Sequence, residues 1–380
     1  MIKILTIIGA RPQIIKAAAL SRTIKKSFSD QINEIILHTG QHYDDNMSKI
    51  FFDELDIPSP NYNLKIGSGK HGEQSAAMIS AIEEILIKEN PAYLILYGDT
   101  NSTLAGAIAA SKLHIPVVHI EAGLRSFNKN MPEELNRIIC DHCSSFLFTP
   151  TQTGYNNLIN EGFKNAIKPF HIDNPGIFNY GDIMYDNTLY FLEISQQKSD
   201  VINKLNLQGE AFLLATVHRD YNTDNNEALI GILEAFNYIS TQHNRIIIFP
   251  IHPRTLKIIK SLSNDNHVIR FLENKFIHKI EPVSFMDMIQ LEKNADLILT
   301  DSGGVQKEAY FFNKPCIILR TETEWVEILE TGKAILTGSS FEKIKIAFNT
   351  LIDRPISKYP DLFGSGNTAE LICKELIDNS

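Results

Sequence analysis

Continuous apolar runs alternate with amphipathic stretches along the first 170 residues of the chain. In the runs, hydrophobic side chains occupy consecutive positions, as expected of parallel strands that are covered on both faces. In the stretches between them, apolar residues recur at helical spacing. The runs read IKILTIIG, EIILHTG, AYLILYGD and PVVHIEAG. This order of elements predicts a doubly wound parallel sheet.

The same alternation restarts near residue 210, with the runs AFLLATVHR, RIIIFPIHPR, ADLILTDSGG and PCIILRTE. Between the two halves, residues 171–187 are rich in Asn, Asp and Gly, which favours a crossing segment over a helix. We therefore predict an α/β fold of two Rossmann-like doubly wound domains, residues 1–175 and 176–366, with a C-terminal helix over 367–380 that can pack back on the first. Two such sheets facing one another are expected to enclose a central cleft at their strand ends.

Composition and charge limit the kinds of ligand that the protein is expected to bind and the compartment in which it is expected. The chain has 380 residues and a net charge of −9, which argues against a broad nucleic-acid-binding surface. An anionic ligand must therefore be held locally. Arg11 interrupts the apolar N-terminus too early for a signal peptide or a membrane span, so no membrane insertion is expected. The four cysteines lack the spacing of a disulfide framework, which favours a reducing cytoplasm.

The motif TDSGGVQKEA joins a predicted strand to a predicted helix. Gly303 and Gly304 lack the Cβ atoms that keep a ligand from the backbone, and the first N–H groups of a helix attract phosphate. Ser302 adds a hydroxyl donor, and Glu308 is placed one turn later to accept from a ribose hydroxyl. The alternative is a plain turn in which Asp301 or Ser302 caps the helix. The motif alone leaves both interpretations open.

The motif GARPQIIK repeats this arrangement at the first sheet. Arg11 follows the glycine that ends the strand, and Lys16 lies about one turn into the helix. Two cations beside a helix N-terminus predict a second anion site, whereas solvated surface cations are the commoner alternative. The dinucleotide fingerprint G-x-G-x-x-G is absent from this motif.

Acidic residues follow several predicted strands of the first sheet. Asp99 comes after YLILYG and Glu121 after VVHI, while Glu133 and Glu134 begin a predicted helix. Carboxylates brought together at strand ends are suited to general acid and base catalysis. The alternatives are that Asp99 is a helix N-cap and that Glu133 and Glu134 complement a helix dipole.

Histidine and arginine end two strands of the predicted second sheet. His218 and Arg219 follow FLLATV, and His252 and Arg254 follow IIIFPI. A metal site needs ligands that converge in space, and no H-x-x-x-H or C-x-x-C pair of the right kind supports one, so none is predicted. The motif CDHC at residues 140–143 lies on an amphipathic helical pattern and is predicted to pack in the core.

Taken together, the motifs resemble the non-hydrolysing UDP-N-acetylglucosamine 2-epimerase family over nearly the whole chain. They are GARPQIIKAA, HTGQHYD, YGDTNSTLAGA, HIEAGLRS, MPEELNR, NYGDIMYD, TVHR, IHPRT, LTDSGGVQKEA and RTETEWVE. The resemblance implies two Rossmann-like domains in a glycosyltransferase-B-like architecture. It also implies a homodimer that acts on a UDP-sugar and uses no cofactor.

Two of the motifs, GARPQIIKAA and TEWVE, resemble one branch of the family more closely. That branch epimerises UDP-2,3-diacetamido-2,3-dideoxy-glucuronate to its manno-configured isomer for bacterial surface polysaccharides such as lipopolysaccharide or capsule. UDP-N-acetylglucosamine enzymes more often carry Glu-Arg-Pro-Glu where this chain has residues 324–327. The main alternative is a UDP-N-acetylglucosamine 2-epimerase that makes UDP-N-acetylmannosamine. A UDP-sugar glycosyltransferase, a hydrolysing epimerase and an inactive nucleotide-sugar sensor are further alternatives.

The resemblance implies three groups of site residues. Catalytic roles fall on Asp99, Glu121, Glu133 and His218. Contacts with UDP fall on Arg11, Lys16, His252, Ser302, Gly303, Gly304 and Glu308. Contacts with the sugar, or with a second regulatory nucleotide-sugar site, fall on Gln41, His42, Arg137, Arg320, Glu324 and Trp325. The family commonly has Glu in place of Tyr221, so a hydrogen bond expected to orient His218 is missing from this sequence.

Overall fold

The computed structural model describes residues 1–40, 58–67, 69–164, 166–352 and 358–380. These residues form two compact units, the first comprising Met1–Asn187 with Asp361–Ser380 and the second comprising Thr188–Pro360. Each unit contains a parallel sheet with helices between successive strands. The predicted α/β class with two parallel sheets is therefore confirmed.

The first unit is built on a sheet in the order β3-β2-β1-β4-β5-β6-β7. Its strands are β1 Ile2–Ile8, β2 Ile32–His38, β3 Tyr62–Asn63, β4 Tyr93–Tyr97, β5 Val117–Ile120, β6 Phe146–Thr149 and β7 Gly176–Asn179. Its helices are Arg11–Thr23, continued by a π-helical turn over Ile24–Phe28, then His71–Glu89, Asn101–Lys112, Pro132–His142, Gln152–Asn160 and Thr368–Ile377. The strand order reverses between β1 and β4, which makes this the topological switch point of the sheet.

The second unit has a sheet in the order β10-β9-β8-β11-β12-β13. Its strands are β8 Phe212–Thr216, β9 Ile246–Pro250, β10 Ile277–Ile280, β11 Leu297–Thr300, β12 Cys316–Ile318 and β13 Ala334–Leu336. Its helices are Val201–Lys204, Asp220–Thr223, Asn226–Gln242, Pro253–Ser261, Asn266–Glu273, Phe285–Asn294, Gly303–Phe311, Val326–Glu330 and Phe341–Ile352. Here the switch point lies between β8 and β11.

Close packing of small residues brings one helix onto the first sheet. In helix Asn101–Lys112, Ala105 and Ala109 are buried, and a Cβ added at Gly106 would lie 2.7 Å from Leu96 and 2.9 Å from Ile7. A side chain at that position would push the helix away from β1 and β4. Because the helix begins directly after Asp99, this packing also places the loop at the switch point.

The division between the units differs from the predicted boundary at residue 175. Strand β7 pairs in parallel with β6 and so belongs to the first sheet. Helix Ile183–Lys198 then crosses the division between Asn187 and Thr188. The polar composition of residues 171–187 hides both elements, because a short edge strand needs few apolar residues.

The C-terminal helix belongs to the first unit, where two contacts hold it. Its first backbone N–H groups, on Thr368 and Ala369, donate to the carboxylate of Asp186 at 3.1 and 2.8 Å. The hydroxyl of Tyr180 donates to Glu375 at 2.6 Å. Among the residues that the structure describes, no helix combines the length and hydropathy needed to cross a membrane.

Candidate active site

Gln13 joins the two loops that meet at the switch point of the first sheet. Its Oε1 accepts hydrogen bonds from the backbone N–H groups of Gly9 and Ala10 at 2.9 and 3.2 Å. Its Nε2 donates to the carbonyl of Tyr97 at 3.0 Å and to Thr103 Oγ1 at 2.9 Å. The loop after β1 is therefore tied to the loop after β4 by a single buried side chain.

Lys16 and Glu121 form an ion pair beside this junction. Their side chains are 12% and 13% exposed, and Lys16 Nζ would lie 3.3 Å from a Cβ added at Gly98. Glu121 itself has φ = 76°, a left-handed conformation that is rare for a residue with a side chain. Backbone strain of this kind concentrates at functional sites, where the surrounding structure maintains it. Here the strained residue is the one whose carboxylate pairs with Lys16.

Asp99 is held by Arg137, which bridges two carboxylates. One guanidinium nitrogen lies 2.7 Å from Asp99 Oδ2 and the other 2.7 Å from Glu134 Oε2. Burial alone would raise the pKa of Glu134, but hydrogen bonds from Ser126 and Phe127 and the charge of Arg137 hold that pKa below its usual value. Asp99 is not the N-cap of the following helix, because Thr100 accepts from the backbone N–H of Thr103 instead. Its carboxylate, 31% exposed, is available for other contacts.

Glu133 and Glu134 differ although they are adjacent in the first turn of one helix. Glu134 is 1% exposed and carries the contacts just described, whereas Glu133 is exposed. Helix periodicity explains the difference, because consecutive residues point about 100° apart around the axis. Glu134 is therefore a structural anchor for Arg137, and Glu133 is the more accessible carboxylate of the two.

A buried charge network supports the loop that contains Asp99. His119 Nδ1 lies 2.6 Å from Asp141 Oδ1, and His119 Nε2 lies 2.8 Å from the carbonyl oxygen of Gly98. Both ring nitrogens face acceptors, so both donate and the imidazole is protonated. Burial lowers the pKa of His119, but Cys140 and Asp141 outweigh it and raise the pKa to about 10. Asp141 also pairs with Arg125 at 2.7 Å.

Asp301 organises the switch point of the second sheet. Its carboxylate accepts from the backbone N–H groups of His218 and Arg219 at 3.0 Å each and from Asn222 Nδ2 at 3.0 Å. His218 Nδ1 lies 3.2 Å from the same carboxylate. Burial would raise the pKa of Asp301, but these donors, His218 foremost, hold it below its usual value. Asp301 therefore orients His218.

The turn after β11 opens helix Gly303–Phe311. Ser302 is the N-cap, and its Oγ accepts from the backbone N–H of Val305 at 3.4 Å. A Cβ at Gly303 would lie 2.7 Å from Glu324 Oε1, so a side chain at this position would displace the Glu324 carboxylate. A Cβ at Gly304 would meet nothing closer than Ser302 Oγ at 3.9 Å, and the residue is exposed. The second helical position is thus open to a ligand.

His252 and Arg254 follow β9 as predicted. His252 is exposed and caps helix Pro253–Ser261, with Nδ1 accepting from the backbone N–H of Arg254 at 3.2 Å. Because Nδ1 accepts this hydrogen bond, the ring proton is assigned to Nε2. Arg254 itself pairs with Asp224 at 2.7 Å and with Asp220. The His218 and His252 rings lie 6.2 Å apart between centroids.

The segment after β12 carries the remaining predicted contacts. Arg320 pairs with Glu324 at 3.0 Å, and their side chains are 15% and 30% exposed. Trp325 is 3% exposed, and Lys307 Nζ lies 4.2 Å from its ring centroid. Trp325 is therefore a packing residue beneath this segment, and Arg320 and Glu324 are more accessible. Gln41 and His42 lie outside the described residues.

Comparison with known proteins decides the family. The model of the UDP-N-acetylglucosamine 2-epimerase family matches residues 25–377. The chain belongs to this family. A "UDP-N-acetylglucosamine 2-epimerase homolog" from Methanococcus maripaludis is 50% identical over 98% of this chain and 99% of the relative. The UDP-2,3-diacetamido-2,3-dideoxy-D-glucuronate 2-epimerase of Pseudomonas aeruginosa is 45% identical over 98% of this chain and 99% of its own.

A solved structure of the same family has a similar fold. The Methanocaldococcus jannaschii UDP-GlcNAc 2-epimerase, in complex with UDP-GlcNAc and UDP, superposes with a TM-score of 0.81 and 44% identity. The match covers 98% of this chain and 99% of that one. The predicted family is confirmed, and the chain is a UDP-sugar 2-epimerase, an isomerase of the non-hydrolysing type.

Several residues of this epimerase that shape its strand-end loops were not predicted from the sequence. Gln13 lies inside a recognised motif but offers no signal of its cross-sheet hydrogen bonds. Asp141 was predicted only to pack in the core with the other residues of CDHC. Cys140 does pack there, but Asp141 is the charged partner of His119 and Arg125. A buried acid on an amphipathic helix was the available signal, because such an acid needs a paired cation.

Proposed function

We propose that the enzyme epimerises UDP-2,3-diacetamido-2,3-dideoxy-glucuronate at C2 of the sugar by eliminating and re-adding UDP. The observation that carries the proposal is the contrast between the two switch points. One holds carboxylates paired with Lys16 and Arg137, and the other presents an open glycine turn at a helix N-terminus. The first arrangement suits proton transfer and the second suits a diphosphate.

The chemistry requires both arrangements. No carbonyl adjoins C2 of the sugar, so its proton becomes labile only as the C1–O bond to UDP breaks. A carboxylate then takes the C2 proton, UDP departs as an anion, and a glycal is left. In the return direction an acid delivers a proton to the opposite face of C2 while UDP adds again at C1. Atoms and charge balance without any oxidant or reductant.

The acids of the first unit are the proposed proton-transfer groups. Asp99 and Glu121 each have a cation beside the carboxylate, and Glu133 is exposed in the first turn of its helix. Lys16 and Arg137 would hold two of these carboxylates in fixed positions, which limits the reorganisation needed during proton transfer. Arg11 and Lys16 add positive charge for the diphosphate beside the same loops.

The second unit is proposed to hold UDP while the sugar is detached. The N–H groups at Gly303 and Gly304 and the hydroxyl of Ser302 would donate to phosphate oxygens. His218, oriented by Asp301, and His252, with its proton on Nε2, would add two donors. Fixed donors of this kind favour the departing diphosphate because they do not reorganise as negative charge develops. Glu308 would accept from the ribose hydroxyls.

The choice of sugar rests on two supports. The Pseudomonas relative, which acts on the diacetamido-glucuronate by its name, is 45% identical over 98% of this chain. Beside Glu324, Arg320 is a partly accessible guanidinium that would pair with the C6 carboxylate of that substrate. Arg320 would then pair with the substrate carboxylate in place of Glu324.

UDP-N-acetylglucosamine is the second candidate substrate. The Methanocaldococcus enzyme, whose solved structure contains UDP-GlcNAc and UDP, is 44% identical over 98% of this chain. The two relatives are almost equally similar to this enzyme, so Arg320 is the observation that favours the diacetamido-glucuronate.

One assay tests the reaction and the substrate together. Purified enzyme is incubated in deuterated water with either UDP-sugar alone, and products are followed by proton NMR and mass spectrometry. We expect deuterium at C2 and an epimer mixture, faster with the diacetamido-glucuronate. A faster reaction with UDP-N-acetylglucosamine would overturn the substrate assignment. Unlabelled sugar would indicate a glycosyltransferase or a sensor, and free UDP formed at each turnover would indicate a hydrolysing enzyme.

A further inference from the structure

A second glutamate lies against Glu308. Glu292, on helix Phe285–Asn294, is fully buried, and its carboxyl group neighbours that of Glu308 on the contacting helix Gly303–Phe311. Among the described residues, no N–H or hydroxyl group donates to either oxygen of Glu292. Glu292 is therefore left with the Glu308 carboxyl group, and a hydrogen bond between the two requires a proton on one of them.

The proton belongs on Glu292. An ionised carboxylate that is buried without donors is strongly destabilised, and two such groups in contact cannot both ionise. Burial raises the pKa of Glu292 well above its usual value, and the neighbouring Glu308 raises it further. Burial also raises the pKa of Glu308, and Lys307 and the hydrogen bond from Glu292 offset only part of that rise. Glu308 is partly exposed, whereas Glu292 is not.

We propose that Glu292 is a positioning residue whose protonated carboxyl donates a hydrogen bond to Glu308 and thereby keeps Glu308 as an ionised acceptor aimed at the ribose of UDP. The inference rests on the proposed function, because it assumes that Glu308 accepts from ribose hydroxyls. A carboxylate fixed by one donor presents its remaining lone pairs in set directions, so it can distinguish a ribose from a sugar without hydroxyls.

The test compares two ligands and three forms of the full-length enzyme. UDP and 2′,3′-dideoxyuridine 5′-diphosphate are titrated calorimetrically into wild type, Glu292→Gln and Glu292→Met. Wild type is expected to prefer UDP by about tenfold, the equivalent of about 1.4 kcal/mol. Glu292→Gln keeps an N–H donor and should retain the preference. Glu292→Met has a similar volume without a donor and should reduce the preference to less than about threefold, by the loss of one hydrogen bond.

The outcomes separate the two proposals. A wild-type enzyme that does not bind UDP would refute the proposed function itself. A wild-type preference that persists in Glu292→Met would overturn only the role of Glu292. Infrared spectroscopy gives a second measurement should Glu292→Met not fold. Wild type at neutral pH should show the C=O stretch of a buried protonated carboxyl, which shifts with UDP and is lost in Glu292→Gln. Absence of that band in wild type would also overturn the inference.

Discussion

The two switch points of this epimerase stabilise their charged side chains by different contacts. At the first, charged side chains pair with one another, as Lys16 does with Glu121 and Arg137 does with Asp99 and Glu134. At the second, one buried acid, Asp301, is surrounded by N–H donors beneath a glycine turn. Both lie at the carboxyl ends of parallel strands, where such sheets bind ligands.

The proposed function assigns a different chemical task to each arrangement. Paired side chains at the first switch point hold the carboxylates in place without removing their charge. Backbone N–H groups at the second leave space beside Gly304 for the proposed anion. On this proposal, the residues that follow the strands decide whether the same topology serves proton transfer or anion binding.

Removing the carboxylates of the first switch point should have the largest effect on activity. We expect Asp99→Asn, Glu121→Gln or Glu133→Gln to lower kcat by about a hundredfold or more where the residue transfers a proton. Affinity for UDP should stay within about twofold, because these acids do not hold the diphosphate. Deuterium exchange at C2 and calorimetric titration of UDP measure the two effects.

Glu73→Gln provides the control for these acid substitutions. Glu73 is likewise an exposed acid in the first turn of a helix, so its loss should leave kcat unchanged. Near-wild-type turnover in all three active-site variants would refute the assignment of proton transfer to the first unit.

The glycine turn of the second unit is tested by adding one methyl group. In Gly304→Ala, the added methyl group would keep phosphate away from the backbone N–H of residue 304. UDP binding should weaken by about thirtyfold, because a charge-assisted hydrogen bond is worth about 2 kcal/mol. Folding should tolerate the change, because the new Cβ meets only Ser302 Oγ at 3.9 Å. Gly72→Ala is the matched control at the second position of another helix, with nothing within 4 Å of its Cβ. Equal UDP affinities for the two variants would contradict an anion site at this turn.

The pH dependence of stability should separate the two units. The pKa of His119 is raised to about 10 in the folded protein, against about 6.5 in the unfolded chain. Its contribution to the free energy of unfolding is therefore complete below pH 6.5 and is lost as the pH rises to 10. The loss is at most about 1.4 kcal/mol per pH unit for one proton. Asp301 has a depressed pKa, so its contribution is present above about pH 4 and is lost as pH falls below that.

Two probes and one variant measure this difference. The single tryptophan, Trp325, reports unfolding of the second unit, and far-ultraviolet circular dichroism reports both. The His119→Gln variant should be less stable than wild type. Its stability, followed by circular dichroism, should also fall less steeply as the pH rises. If His119→Gln loses stability at alkaline pH as steeply as wild type, a group other than His119 causes that loss.

The smallest expected effect concerns the sugar. Arg320→Gln should raise the KM for UDP-2,3-diacetamido-2,3-dideoxy-glucuronate by about fivefold, because a partly exposed ion pair is worth at most about 1 kcal/mol. The KM for UDP-N-acetylglucosamine, which has no C6 carboxylate, should change by less than about twofold. Equal changes for the two substrates would mean that Arg320 does not recognise the carboxylate.

Much of the fold could be read from local pattern. Consecutive apolar residues indicate strands buried on both faces, and the strands found at β1, β4, β8 and β11 lie in the predicted runs. The strand-end positions of Asp99 and Ser302 follow directly, because a polar residue after a buried strand lies at the sheet edge. The weaker signal of β7, in a polar segment, is why the predicted boundary at residue 175 precedes the division between Asn187 and Thr188.

The order of the elements, the family and the residues that follow each strand could be read from the sequence, since these depend on neighbours along the chain. Which of those residues pair depends on how the chain folds. His119 and Asp141 are 22 positions apart, His218 and Asp301 are 83 apart, and no periodicity predicts that they meet. Buried charges must find partners wherever the fold brings them, so long-range packing selects Asp301 to orient His218 and Asp99 to pair with Arg137.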